Sequence, residues 1–104
     1  MPDPIKMRIT RDGDLAVVKV LMPHPMETGL RKDPVTNELV PMHYIERVVV
    51  THNGKPVLEA QLSRAVSKNP FLEFRLRGVQ AGDSVGIAWQ DNRGESDRLE
   101  TVVK

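Results

Sequence analysis

The sequence predicts an all-β protein, an immunoglobulin-like antiparallel β-sandwich of about seven strands, in a single domain spanning residues 1–104. Three observations support this fold class. Valine occurs 14 times against nine leucines and five alanines, and β-branched residues suit a pleated surface better than a helix. Apolar and polar residues alternate in short runs. Eight prolines and seven glycines separate these runs with residues typical of turns.

The first two strands are predicted from contrasting patterns. Residues 5–10 alternate, with Ile5, Met7 and Ile9 on one face, and the pair Asp12-Gly13 ends this run. Residues 15–22 are apolar on both faces apart from one lysine. An apolar run of this kind predicts a central strand that is covered on both sides.

The third and fourth strands are predicted as a hairpin. The turn Asn53-Gly54 separates them and is the strongest short hairpin signal that a sequence offers. Strict alternation puts Tyr44, Glu46, Val48 and Val50 on one face of the third strand, with Ile45, Arg47, Val49 and Thr51 on the other. The returning strand opposes Val57, Glu59 and Gln61 to Leu58, Ala60 and Leu62.

Three further alternating runs complete the sandwich. Their apolar faces carry Leu72, Phe74 and Leu76; then Val85, Ile87 and Trp89; then Leu99, Thr101 and Val103. Trp89 is predicted to be a core aromatic residue that precedes a hairpin turn. The only helical candidate is a single turn over Ser63–Lys68, which Asn69-Pro70 would end because the residue before a proline avoids the helical region.

Composition excludes several functional classes. The 15 lysines and arginines nearly balance the 14 aspartates and glutamates, which argues against nucleic acid as a partner because phosphate neutralisation needs a basic surplus. The longest unbroken apolar run is four residues, 15–18, too short for a transmembrane helix. The chain has no cysteine, so it contains no disulfide, reactive thiol or thiolate metal ligand. Residues 1–6 lack the pattern of a secretory signal, which by itself predicts a cytoplasmic location and leaves open export in complex with a partner that carries the signal.

The stretch from Pro23 to Met42 is the longest connection in the predicted fold. Loops of more than about 12–15 residues are usually functional or disordered. The prolines at 23 and 25 stiffen its beginning, and Gly29 permits a backbone conformation that other residues resist. A stiff loop is suited to contact with a partner, and the alternative is an ordinary crossover between the two sheets.

Two sets of residues suggest chemistry. Met22, His24, Met26 and His43 combine thioethers with imidazoles, a soft ligand set that suits Cu(I), so a small copper-binding, metallochaperone-like domain is the alternative hypothesis. Methionine is also a common core filler, which is the structural alternative. Hydrolytic catalysis finds little support, because no nucleophile occupies a recognisable turn and no pair of carboxylates can be identified. We therefore expect no catalytic residue, no cofactor and no metal site, with His52 as an exposed hairpin residue.

Four motifs occur in a fixed order along nearly the whole chain. They are His24-Pro25-Met26-Glu27-Thr28-Gly29 with the basic pair Arg31 and Lys32; Asn53-Gly54; Asn69-Pro70-Phe71-Leu72-x-Phe74; and Trp89-x-Asp91-x-x-Gly94. In order and spacing they resemble the SoxZ family, the Z subunit of the sulfur-oxidation (Sox) carrier complex. The first motif is the specific one, and the tip 33–39 is peculiar to this sequence.

The resemblance implies a non-catalytic subunit of a heterodimeric sulfur carrier in thiosulfate oxidation. Its partner would be a Y subunit whose Gly-rich C-terminal arm carries sulfur on a cysteine. The loaded arm would visit a c-type cytochrome, a hydrolase that releases sulfate and a sulfur dehydrogenase. The complex would work in the periplasm, and this chain would be exported together with its signal-bearing partner. A scaffold without cysteine fits this division, because a second thiol would compete for the sulfane sulfur.

The residues expected to contact a partner all lie in the first motif and just after it. They are His24, Pro25, Met26, Glu27, Thr28, Gly29, Arg31 and Lys32. For Glu27 and Thr28, hydrogen bonding within the loop is an equal alternative.

Overall fold

A computed structural model describes residues 4–63 and 66–104 and confirms an all-β fold. Seven strands follow one another along the chain: β1 (Lys6–Asp12), β2 (Leu15–Leu21), β3 (Ile45–His52), β4 (Lys55–Gln61), β5 (Phe71–Arg77), β6 (Ser84–Asp91) and β7 (Ser96–Val102). They form two antiparallel sheets that pack as a sandwich, with the strand orders β1-β2-β5 and β4-β3-β6-β7. Strand β2 is the central strand of its sheet, as its continuous apolar run predicts.

The core lies between the two sheets. From the three-stranded sheet, alternate residues of β2 point inward, and Ala16, Val18 and Val20 are fully buried. From the four-stranded sheet, Val85, Ile87 and Trp89 belong to the same core. The core therefore follows the period-two pattern of the sequence, and Trp89 is the core aromatic residue that the pattern predicts.

The predicted face assignment of β3 is wrong at its beginning. The pairing of β3 with β6 shifts between Ile45 and Arg47, so that Glu46 is an extra residue in the ladder. Because of this bulge, Ile45 turns inward and is fully buried beside Val48, while Glu46 and Arg47 are both exposed. Strict alternation had put Glu46 on the Val48 face.

The predicted hairpin between the third and fourth strands is present in the structure. Strands β3 and β4 form this hairpin, and Asn53 and Gly54 have φ values of 51° and 80°, the left-handed pair that a type I′ turn requires.

The helical turn predicted over Ser63–Lys68 includes residues 64 and 65, which lie outside the described residues. The prediction of His52 as an exposed residue is wrong, since its side chain is half-buried and its Nε2 lies 2.8 Å from an Asp83 carboxylate oxygen. Within the described residues, no helix has the length and hydrophobicity to cross a bilayer.

Strands β3 and β6 approach closely where Thr51 faces Gly86. A Cβ added to Gly86 would lie 2.5 Å from Thr51 Oγ1. We expect Gly86→Ala to lower the free energy of unfolding by about 1–3 kcal/mol, because this overlap outweighs the ~0.5–1 kcal/mol that alanine gains over glycine in a strand. Urea denaturation measures the loss.

The control is the same substitution in a Thr51→Ala background, where the hydroxyl has been removed. There the loss should be clearly smaller. Equal losses in both backgrounds would contradict an origin in this contact.

Candidate functional site

A buried polar cluster lies where the loop 23–42 meets the end of β6. His24 and Asp91 are the buried polar residues of the described chain, with side-chain exposures of 1% and 0%. His43, at the end of the loop, and Glu95, in the β6–β7 turn, border them with side-chain exposures of 14% and 57%. The cluster thus joins segments that are far apart in sequence.

The carboxylate of Asp91 is the centre of the cluster. Its Oδ2 lies 3.1 Å from His24 Nε2 and 2.7 Å from His43 Nε2. Its Oδ1 accepts hydrogen bonds from the backbone N–H groups of Arg93, at 3.0 Å, and Glu95, at 2.8 Å. A buried carboxylate is stable only when such donors replace its hydration, so these four contacts are what allow Asp91 to remain charged.

The tautomer of His24 follows from its neighbours. The backbone N–H of Met26 donates to His24 Nδ1 at 3.1 Å, so Nδ1 carries a lone pair. The proton of the neutral ring therefore lies on Nε2, from which it donates to Asp91. The His24 ring also contacts Trp89 edge-on, at a centroid distance of 5.1 Å, and this contact fixes its orientation.

Burial shifts the pKa values of His24 and Asp91 in opposite directions. Burial lowers the pKa of His24 below 6.5 and outweighs the hydrogen bond to Asp91, which raises it. Burial raises the pKa of Asp91, but the hydrogen bonds from His24, His43 and the backbone outweigh it, so that the pKa lies below 3.8. At neutral pH the pair is a neutral imidazole that donates to a carboxylate.

The beginning of the loop is attached to the segment that precedes β5. His24 N–H donates to Asn69 Oδ1 at 3.0 Å, and Asn69 N–H donates to His24 O at 2.9 Å. Two residues earlier, Met22 N–H donates to Pro70 O at 2.9 Å. Asn69 has a φ of 53°, a conformation that asparagine tolerates better than most residues. Asn69-Pro70 is therefore a docking partner of the loop.

Met26 fills the space beneath the loop. It is 5% exposed, and its Sδ accepts a hydrogen bond from Ile45 N–H at 3.3 Å. Its φ of 51° is unusual for a residue with a long side chain and requires support from the surroundings. The buried thioether and the hydrogen bond to His24 Nδ1 supply that support.

The end of the loop returns beside its beginning. The backbones of Glu27 and His43 form an isolated antiparallel bridge, and His43 N–H donates to Glu27 O at 3.0 Å. Gly29 has a φ of 85°, and a Cβ there would lie 3.2 Å from Met42 Cβ. Asn92 accepts from Tyr44 N–H and donates to Met42 O, so the β6–β7 turn also holds the returning chain.

Residues 30–40 form a projection that we call the finger. Val40 N–H donates to Arg31 O, and Asp33 N–H donates to Glu38 O, both at 2.8 Å. At the tip, Asp33 Oδ1 accepts hydrogen bonds from the N–H groups of the two residues after Pro34. Three apolar side chains of the finger are largely exposed: Leu30 at 71%, Val35 at 90% and Leu39 at 59%.

The residues predicted to contact a partner differ in exposure and in their contacts within the loop. His24 and Met26 are buried, so they hold the loop in place. Pro25, Arg31 and Lys32 are exposed. Glu27 forms a two-bond ion pair with Arg31, at 2.8 and 3.0 Å, and Thr28 Oγ1 accepts from Leu30 N–H, which is the loop-internal alternative. A role of these eight residues in partner contact stays a prediction.

The copper hypothesis does not fit this arrangement. His24 and His43 do meet, with ring centroids 4.4 Å apart, and their Nε2 atoms converge on the carboxylate of Asp91, not on a thioether. Met26 Sδ accepts the Ile45 N–H, and Met22 is fully buried in the core. The two thioethers are thus used in packing and backbone hydrogen bonding.

Sequence reasoning missed the central role of Asp91, which follows Trp89 at the predicted hairpin turn, and the roles of Glu95 and Asn69. Asp91 lies 67 residues from His24 and 48 from His43, and spacing along the chain does not reveal such contacts. A signal was present in Trp89-x-Asp91, because an aspartate in register with a core tryptophan must turn inward and find donors.

A protein-family model matches this chain. The model described as "Sulphur oxidation protein SoxZ" matches residues 5–102, nearly the whole chain. No curated protein matches the chain significantly.

Acid should destabilise the protein in two stages. The folded His24 resists a proton that the unfolded chain accepts near pH 6.5, and the folded Asp91 resists one accepted near pH 3.8. Because both pKa values are lowered on folding, their contributions are present at neutral pH and are lost as the pH falls. Urea unfolding between pH 7.5 and pH 3 should show this decline, and His24→Gln should flatten its first stage. Stability that rises between pH 7 and pH 5 would be inconsistent with a neutral His24.

Asp91→Asn should be strongly destabilising. The amide can retain the two backbone hydrogen bonds but presents an NH₂ group to imidazole donors, so we expect a loss of about 3 kcal/mol in the free energy of unfolding. The matched control is Asp83→Asn, which alters the half-exposed pair with His52 and should have a smaller effect. Equal effects at the two positions would show that the buried cluster has no special weight.

Proposed function

Because this chain belongs to the SoxZ family of sulfur oxidation proteins, we propose that it is the non-catalytic subunit of a heterodimeric sulfur carrier in thiosulfate oxidation. The family identifies it as a subunit of the Sox system that partners SoxY. In our proposal it binds and orients this Y subunit, whose C-terminal cysteine arm carries the covalent sulfur intermediate. The match over residues 5–102 is the observation that carries this proposal.

The absence of cysteine from the sequence supports the division of labour. A covalent thiol-bound sulfur intermediate requires a thiolate, and this chain has none. Any sulfur that the complex carries in this form must therefore be attached to the partner. A chain without thiols can hold the loaded partner without exchanging sulfur with it.

The burial of the polar cluster supports a non-catalytic role. An imidazole beside a carboxylate is a common acid–base arrangement, but such a base must reach the proton that it transfers. His24 and Asp91 are 1% and 0% exposed, and both nitrogens of His24 already have hydrogen-bond partners. This pair serves to hold the loop, and a substrate has no access to it.

The loop supplies an ordered contact surface. Prolines, the Glu27–His43 bridge and the finger hydrogen bonds fix its backbone before any partner arrives. A preordered surface loses less conformational entropy on binding. We propose that the exposed residues Pro25, Arg31 and Lys32 contact the Y subunit or the enzymes that act on it.

We extend the proposal to the remaining partners and to the compartment. The heterodimer would present its arm transiently to the Sox cytochrome, the sulfate-releasing hydrolase and the sulfur dehydrogenase. It would work in the periplasm, where the Y subunit would bring this chain by co-export. Cell fractionation of a strain that lacks the Y subunit tests the second point, since this chain should then remain in the cytoplasm.

Co-purification tests the heterodimer and the contact surface together. The tagged chain should retain the Y subunit at a 1:1 ratio. The exposed substitutions Pro25→Ala, Arg31→Glu and Lys32→Glu should weaken retention of the Y subunit, or thiosulfate turnover, by tenfold or more when combined. These positions avoid the buried residues of the loop, so folding should be maintained.

The matched control is Lys55→Glu, which reverses an exposed charge at the β3–β4 hairpin, and it should have little effect. If the unmodified chain fails to retain the Y subunit, the proposed function is wrong. If the triple variant retains the Y subunit and supports turnover as well as the control, the loop is not the contact surface.

A further inference from the structure

Two carboxylates approach the same imidazole at the edge of the buried cluster. His43 Nε2 lies 2.7 Å from Asp91 Oδ2 and 3.3 Å from Glu95 Oε2. The three side chains come from the end of the loop, the end of β6 and the β6–β7 turn. Among the described residues, neither carboxylate forms an ion pair with a lysine or an arginine.

The two carboxylates are stabilised differently, Asp91 by four hydrogen-bond contacts in the interior and Glu95 by solvent. Buried carboxylates in proteins are normally paired with a cation or bound to a metal ion. His24 cannot act as the cation, because the Met26 N–H occupies its Nδ1 and Nε2 already carries the proton of the neutral ring. His43 is therefore the imidazole of the cluster that can offer a nitrogen lone pair to a metal ion beside Asp91 and Glu95.

We propose that His43 Nε2, Asp91 Oδ2 and Glu95 Oε2 bind a divalent transition-metal ion, and that Zn²⁺ fits this site best. Zinc ligands lie about 2.0–2.2 Å from the metal, so neighbouring ligand atoms in a tetrahedral site are roughly 3.3 Å apart. The observed separation of His43 and Glu95 is 3.3 Å, and that of His43 and Asp91 has to widen by about 0.6 Å from 2.7 Å. Water would take the fourth position.

His24 would not bind the metal itself but would orient its ligand Asp91. Its Nε2–H donates to Asp91, and the backbone N–H groups of Arg93 and Glu95 hold the other carboxylate oxygen. This arrangement leaves Oδ2 as the oxygen that faces His43. Hydrogen bonds of this kind orient metal ligands in many proteins.

The donor atoms also select the class of metal. One imidazole nitrogen and two carboxylate oxygens suit Zn²⁺, whereas Cu(I) prefers the thioethers that the fold uses elsewhere.

Glu95, with 57% of its side chain exposed, provides an entry path from solvent. Metal binding would tie the end of the loop to the β6–β7 turn. This inference does not depend on the proposed function.

Calorimetric titration of the metal-free full-length chain with ZnCl₂ tests the proposal. We expect one equivalent of saturable binding, and the chain has no cysteine that could account for it. Zinc at about 100 times its Kd should raise Tm by roughly 10 °C. Glu95→Gln and His43→Gln should each weaken zinc binding by tenfold or more, while MgCl₂ should give no comparable signal.

The matched control is His52→Gln, which removes a histidine paired with an aspartate at the opposite end of β3. This variant should bind zinc as the unmodified chain does. Because Glu95 is exposed, Glu95→Gln remains decisive even if His43→Gln unfolds the protein. A chain that takes up no zinc, or a Glu95→Gln variant that binds it unchanged, would overturn the proposal.

Discussion

One buried carboxylate holds the irregular part of this molecule in place. Asp91 receives hydrogen bonds from the beginning of the loop, from its end and from the turn that follows β6. Hydrogen bonds to a charged group are each worth about 1.5–3 kcal/mol. A loop of this length without regular structure would otherwise have to be ordered by weaker surface contacts. The order of the proposed contact surface therefore depends on a residue that no partner can touch.

The beginning of the loop shows how one segment serves both the interior and the surface. Met22, His24 and Met26 are buried in alternation, as in an extended strand. The backbone N–H groups of these three residues donate hydrogen bonds, in order, to the carbonyl oxygen of Pro70, to Oδ1 of Asn69 and to Nδ1 of His24. The residues between them are prolines, which have no N–H to satisfy and whose rings restrict the backbone. The motif is thus a stiff, strand-like segment that ends at the left-handed Met26.

The sequence predicts most of the fold, because strand faces and hairpin turns depend on neighbouring residues. The buried faces of β2 and β6 and the Asn53-Gly54 turn are read directly from period-two patterns and turn chemistry. The exceptions are the two register shifts of β3, at Glu46 against β6 and between Val50 and Thr51 against β4, since one extra residue in a ladder changes the face without any local signal. The site was predicted less well. His24 and His43 were correctly placed near each other, but their common partner Asp91 is distant in sequence and resembled an ordinary turn residue.

Hydrogen–deuterium exchange of this chain, with and without the Y subunit, tests most directly whether the loop is the surface that holds the partner. The account predicts added protection in peptides that cover residues 25–32, on a loop that already exchanges slowly at its bridge and finger hydrogen bonds. It predicts little change at the β3–β4 hairpin. Protection confined to that hairpin or to other strands, with residues 25–32 unchanged, would contradict the account.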